Sequence, residues 1–182
     1  MQENPYAPPN AIVQDVGDPA PLEDAPWFPV SVTKLLVMSL CTLTLYQIYW
    51  FYENWRRVKR RENLSIIPAA RAIFGVFFCY QLFAKIRDFD GRGNSSSRLA
   101  AGALATGWIG ATVLWRLPDP YWWIAMSAIL FMLPVQAQAN AHNAAVNPAH
   151  KSNTRFSALN WVAVVVGGLF LLAAVLGTLY PE

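Results

Sequence analysis

Residues Lys34 to Arg61 read KLLVMSLCTLTLYQIYWFYENWRRVKRR. The apolar run Leu35–Tyr52 passes into a cluster of rings: Tyr46, Tyr49, Trp50, Phe51, Tyr52 and Trp55. Five cations follow at once: Arg56, Arg57, Lys59, Arg60 and Arg61. Hydrocarbon length, then interfacial rings, then a basic block is the order of a helix leaving a bilayer on its cytoplasmic side. The same cations are candidate contacts for anionic lipid or an acidic partner, each adding about 1 kcal/mol toward an anionic surface. Simple topogenesis, in which the charges hold the loop inside, accounts for them equally well.

Outward from that stretch the composition agrees. The chain has 182 residues, 55% hydrophobic and only 14% charged, against about a quarter charged in soluble domains. The apolar residues fall into long runs, so the expectation is an all-α polytopic transmembrane helix bundle, one helical membrane domain over 30–182. Residues 1–29 hold seven of the thirteen prolines and five carboxylates with no Lys or Arg. They read as a disordered, acidic, Pro-rich tail, unlike a secretory signal. The first apolar segment then serves as an uncleaved anchor. Cys41 and Cys79 lie inside apolar segments without CxxC spacing and read as free thiols.

Segment one covers about Val30 to Tyr52, with Trp27 and Phe28 at its outer interface and Lys34 snorkelling outward. Segment two, about Pro68 to Ile86, has a core of only 13 residues, Ala72 to Ala84. That is the length of an interfacial or re-entrant helix. GRGNSSS at 91–97 is a loop. Segment three, about Leu99 to Leu117, carries Gly102, Thr106 and Gly110 at i, i+4, i+8, with Ala103, Gly107 and Ala111 in a second row. Small residues on one face let helices approach closely in lipid. The PDP turn at 118–120 leads into segment four, which begins with interfacial Trp122 and Trp123, stays apolar to Val135 and continues as the polar QAQANAHNAAVN. Segment five, about Ala158 to Tyr180, has no charge, and Gly167 and Gly177 belong to its small-residue pairs. Trp27, Trp50, Trp55, Trp122 and Trp123 are the expected interfacial aromatics. The count is four spans plus one short interfacial or re-entrant helix, or five spans if segment two crosses.

If all five segments cross, the 14 cations divide evenly. If segment two stays on, or dips into, the cytoplasmic face and the tail is outside, only Lys34 and Arg116 lie outside, a bias of 12 to 2. If segment one breaks near Thr42–Leu45 and returns as a hairpin, the tail is inside and the bias is 13 to 1. Both arrangements make 53–98 and 139–157 cytoplasmic and leave the side of the tail open.

NPYAPP near the start, PVSVTKLLVMSLCTLTLYQIYWFYENW, RAIFGVFFCYQLF, LPVQAQAN and NTRFSALNWVAVVVGG together resemble a family of small proteobacterial inner-membrane proteins, known as a domain of unknown function. The resemblance runs from Asn4 to Gly168, and its most specific piece is the Tyr-x-x-Tyr-Trp-Phe-Tyr-x-x-Trp cluster. It implies a bacterial inner (cell) membrane location and no activity. The family usually has glycine where this chain has Thr44. Glycine would favour a helix break, and threonine weakens the hairpin arrangement.

Chemistry is sparse. His142 and His150 have no Cys, Asp or Glu between Asp119 and Glu182 to complete a metal site, and read as solvated. No carboxylate lies in an apolar core, which argues against proton- or ion-driven transport. Gln47, Gln81, Thr106 and Thr112 read as interhelical hydrogen-bonding groups, and Ser127 has no catalytic partner. The expectation is no enzyme, no cofactor, no metal and no nucleic acid. The partners are the bilayer and either a homo-oligomer or a membrane protein partner. The favoured function is a non-catalytic membrane component acting through helix–helix contacts; the alternative is a small oligomeric transporter or channel for a neutral or weakly polar solute.

Overall fold

The computed structural model describes residues 25–89, 99–118, 121–148 and 152–179. The tail at 1–24, the loop at 91–97, Arg92, Arg98, Asp119, Pro120, His150, Lys151 and the side chain of Trp122 lie outside the described residues. The described chain is helical: α1 (Val32–Cys41), α2 (Leu45–Glu62), α3 (Pro68–Ile73), α4 (Gly75–Arg87), α5 (Ala101–Val113), α6 (Ala128–Val146) and α7 (Ala158–Leu179). Short 3-10 turns follow α5 (Leu114–Arg116) and precede α6 (Tyr121–Ser127).

The opening stretch is not one helix. Ser31 caps α1 through its hydroxyl, which accepts from the Lys34 N–H at 3.2 Å. Ten residues on, the chain breaks at Leu43 and Thr44, both with positive φ (48° and 73°). Thr42 joins the two helices, donating its hydroxyl to Met38 O at 2.7 Å and accepting from the Tyr46 N–H at 3.0 Å. After the break the chain turns back. Phe28 packs edge-on against Tyr49, and Pro26 O accepts from Arg61 at 2.8 Å. Thus α1 and α2 form an antiparallel hairpin, and the chain enters it at the end where the basic block leaves. Thr44 does not prevent the break.

The next element is a shallower hairpin. Asn63, with φ 49°, ends α2, and Pro68 opens α3 at a position where a missing N–H costs nothing. At Phe74 the helix breaks (φ −90°, ψ 36°), with Gly75 against Trp108 and Phe51. Returning along α4, Lys85 pairs with Glu62. The chain has left and regained one level, and its apex reaches Phe51, about 16 Å up α2 at 1.5 Å per residue. Segment two is therefore two short helices, α3 and α4, that fold back on each other within the bundle.

The bundle has two ends. The basic end gathers Trp27, Asn54 to Glu62, Lys85 to Phe89 and Asn143; the far end gathers Leu43, Thr44, Trp115, Arg116 and Ala125. Between them lies an aromatic core of Trp50, Phe51, Phe83 and Trp108, with Cys79, Leu82 and Met132 around it. Outside, large apolar side chains are exposed over much of the surface, including Leu45, Phe77, Leu130 and most of α7.

Two helical stretches are long and apolar enough to cross a membrane: Trp123–Val146 with 24 residues and Ala158–Thr178 with 21. Four spans are not supported. At 1.5 Å per residue α1 rises about 15 Å and α5 about 20 Å, against a hydrocarbon core of about 30 Å. The physical reasons are the break at Leu43–Thr44, which divides segment one into two helices, and the end of α5 at Val113, where a 3-10 turn takes over.

Candidate functional site

At the basic end the chain before α1 runs in extended form through the bundle, and side-chain amides replace the strand neighbours it lacks. Asn143 treats Trp27 as a partner strand would, accepting its N–H at 2.9 Å and donating to its carbonyl at 3.1 Å. Asn54 accepts the Phe28 N–H at 3.0 Å and donates to Trp50 O at 2.9 Å. Gln136 donates to the carbonyls of Phe28 and Val30, each at 3.0 Å, while its oxygen accepts from the Trp50 indole. Asn140 adds a bond to Val30 O at 2.9 Å and accepts from Gln136. Asn153 closes the run, its N–H donating to Pro29 O and its carbonyl accepting from Ser31. Asn54, Gln136 and Asn143 are fully buried. Buried backbone groups left bare would each cost about 1–3 kcal/mol, so this clasp holds the entry segment in place.

The basic block is built into the same end. Glu53, itself buried, takes Arg57 at 2.6 Å and Arg56 at 3.0 Å. The Arg57 guanidinium also stands over Phe28 at 5.4 Å. Arg61 lies over Trp27 at 4.4 Å and Phe89 at 4.9 Å. Burial lowers its pKa, and Glu62 opposes that shift. Arg71 covers Trp55 at 4.4 Å. Lys59 and Arg60 are exposed. On the surface Arg87 holds the Asp88 carboxyl below its ordinary pKa through bonds at 2.7 and 2.9 Å.

Several expectations change here. Trp27, Trp50 and Trp55 are fully buried core residues rather than interfacial ones, because arginines and amides from other helices enclose them. Trp123 is half-buried. Lys34 does not snorkel outward; its ammonium donates to Arg155 O at 2.6 Å and Asn153 Oδ1 at 3.2 Å, at the entry level of α1. His142 is buried rather than solvated, beside Gln138 at 3.0 Å and edge-on to Phe89. Among the described residues no His, Cys, Asp and Glu cluster of metal-binding size occurs. Cys41 and Cys79 are free.

The small-residue positions divide. Gly167 lies where α7 crosses the end of α1, so close that an added Cβ would fall 1.7 Å from Cys41 O. On α5 the packed side is Ala101, Ala105, Trp108 and Ala111, with Gly107 under the Phe131 ring. Thr106 and Gly110 face away from the bundle, and Gly102 meets only the Tyr80 ring at 3.9 Å. Nothing lies within 4 Å of Gly110 or Gly177 among the described residues.

At the far end a cavity of about 510 Å³ opens between the α1–α2 turn, the α3–α4 break and the end of α5. Its walls include Ile48, Phe51, Val76 and Trp108, and its polar groups include Gln47, Thr112 and Arg116. Gln47 is buried, and its oxygen accepts from the Trp108 indole at 2.9 Å. This is the interhelical bond expected of a membrane-depth glutamine. Among the described residues its Nε2 has no partner. Gln81, by contrast, is exposed and bound to Arg71 at 3.3 Å.

Sequence reading missed the clasp. Its signal was present: Gln136, Asn140 and Asn143 recur at i, i+4 and i+7, one face of a helix. No known protein family, curated protein or solved structure matches this chain.

Proposed function

We propose that the protein is a multi-pass inner-membrane component without catalytic chemistry, acting through contacts of its helices with itself or with a membrane protein partner. The observation that supports this reading is α7. It is 22 residues long, it is anchored to α1 by the Gly167–Cys41 approach, and none of its apolar window is buried. Such a helix offers lipid or another helix a continuous apolar face.

The basic end belongs in the cytoplasm in this reading, with 53–98 and 139–157 on that side. The entry of the chain at Pro26, beside Arg61, favours the hairpin arrangement and its 13 to 1 cation bias, so the tail is cytoplasmic too. Exposed Lys59 and Arg60 then face anionic headgroups. The alternative, a small oligomeric transporter or channel for a neutral solute, draws on the cavity beside Gln47, while Gln81 and Thr106 stand outside that cavity.

The test is affinity purification from native membranes in polymer discs, with mass spectrometry of what co-purifies. Gly110→Leu and Gly177→Leu meet nothing within 4 Å in the described chain, so they probe contacts outside it. A stoichiometric partner or homo-oligomer lost in either variant is the expected result. A lone monomer, or unchanged native-gel migration of both variants, overturns the reading.

A further inference from the structure

The far-end cavity carries a second inference, independent of any partner. We propose that it binds an anionic amphiphile, with the acyl chain along the apolar walls, an acceptor oxygen on Gln47 Nε2 and the acidic headgroup at Arg116.

The Gln47 amide has a settled orientation. A Trp indole is a donor and cannot accept, so the group it touches must be the glutamine oxygen. The NH2 therefore faces the other way, unpaired among the described residues, in a residue 3% exposed that lines the cavity. A buried donor without a protein acceptor takes one from water or from a ligand, and Gln47 Nε2 is such a donor at this cavity. Around it Ile48, Phe51, Val76 and Trp108 are hydrocarbon or aromatic. A cavity of this size, about 510 Å³, falls within the ordinary range for small-molecule sites of about 300–1,000 Å³.

The cavity also opens toward the surface that lipid would cover. Its rim includes Leu45, Ile73, Val113 and Trp115, exposed by 66%, 68%, 55% and 46%. An acyl chain can enter sideways from a bilayer through such a rim. Arg116 supplies a cation at the same rim, and among the described residues it is the one cation lining this cavity. Apolar walls, an inner donor and a rim cation select a chain ending in an oxygen-rich acid. A fatty acid and an anionic phospholipid share that chemistry.

The test uses the full chain in detergent and native mass spectrometry, with dipalmitoyl phosphatidylglycerol, palmitate and dipalmitoyl phosphatidylcholine added separately. One retained phosphatidylglycerol or palmitate per chain is expected, and which of them is retained names the source. Gln47→Leu and Arg116→Gln should each weaken retention by about tenfold, the scale of one lost hydrogen bond to a charged or buried group. Lys59→Gln, at the opposite end, should leave it unchanged. Equal retention of phosphatidylcholine, an equal loss in Lys59→Gln, or no loss in Arg116→Gln overturns the proposal. Because Gln47→Leu also removes the Trp108 bond, Val76→Phe, which fills the cavity and spares that bond, must lower retention as well; unchanged binding in Val76→Phe also overturns it.

Discussion

The buried side-chain amides at the two ends of the bundle are used in opposite ways. At the basic end four amides, Asn54, Gln136, Asn140 and Asn143, each use both oxygen and nitrogen, and three of them fix the backbone of Trp27 and Phe28. At the far end Gln47 uses its oxygen and leaves its nitrogen open beside a cavity. A fully paired network holds one arrangement of the chain, while an unpaired donor beside open space leaves room for something else. The amide clasp is thus the structural anchor of the basic end, where the indoles of Trp27 and Trp55 are also left without an acceptor among the described residues, while at the far end the unpaired amide donor lines an open cavity.

The sharpest way to break the contrast is Asn143→Leu. It strips both partners from the buried Trp27 backbone, so a loss of about 3 kcal/mol or more is expected, at 1–3 kcal/mol per orphaned group. It should be read as a fall in apparent Tm in detergent, together with new protease cleavage near Trp27. A change no larger than that of a surface variant would remove the clasp as an anchor.

Gly167→Leu comes next, at the far end. The backbone of Cys41 cannot yield to a Cβ placed 1.7 Å away, so α7 must shift from α1. The expected loss is about 1–3 kcal/mol, as for other overpacked contacts. Cys41 should then react with maleimide several times faster, while the buried Cys79 serves as the internal control.

Arg61→Ala removes stacking over Trp27 and Phe89 and the bond to Pro26 O. About 1–2 kcal/mol should go, at about 0.5–1 kcal/mol for each of two cation–π contacts of an exposed arginine. Arg61→Lys should recover only part of it, because an ammonium lacks the planar fork. Full recovery would mean charge alone matters there.

The smallest effect has the opposite sign. Thr44 adopts φ 73°, which suits glycine and strains a β-branched residue. Thr44→Gly should stabilise the protein by about 1 kcal/mol, within the range for relieved left-handed strain. A destabilised variant would show that threonine's contacts outweigh its backbone conformation.

Much of the architecture could be read beforehand. Apolar runs of helical length specified an all-α chain, and the short core of segment two is met by two short helices, α3 and α4. The count of spans was misjudged because a break at Leu43–Thr44 divides segment one into two helices and because α5 stops at Val113. Thr42-Leu43-Thr44 contains no glycine or proline to announce that break. The role of the tryptophans was misjudged for a different reason. Rings beside a basic block read as interfacial from local order alone, yet Trp27, Trp50 and Trp55 are enclosed by Arg61, Gln136 and Arg71, which come from elsewhere in the chain.

By itself the sequence determined the helical class, the apolar exterior and the placing of cations at one end, because hydropathy, periodicity and charge order are local properties. Tertiary structure alone decided that Asn143 would hold Trp27, 116 residues away, and that Gln47 would face a cavity with its nitrogen unpaired. Such pairings depend on which helix faces meet, and that is settled by packing across the whole bundle rather than by any one stretch.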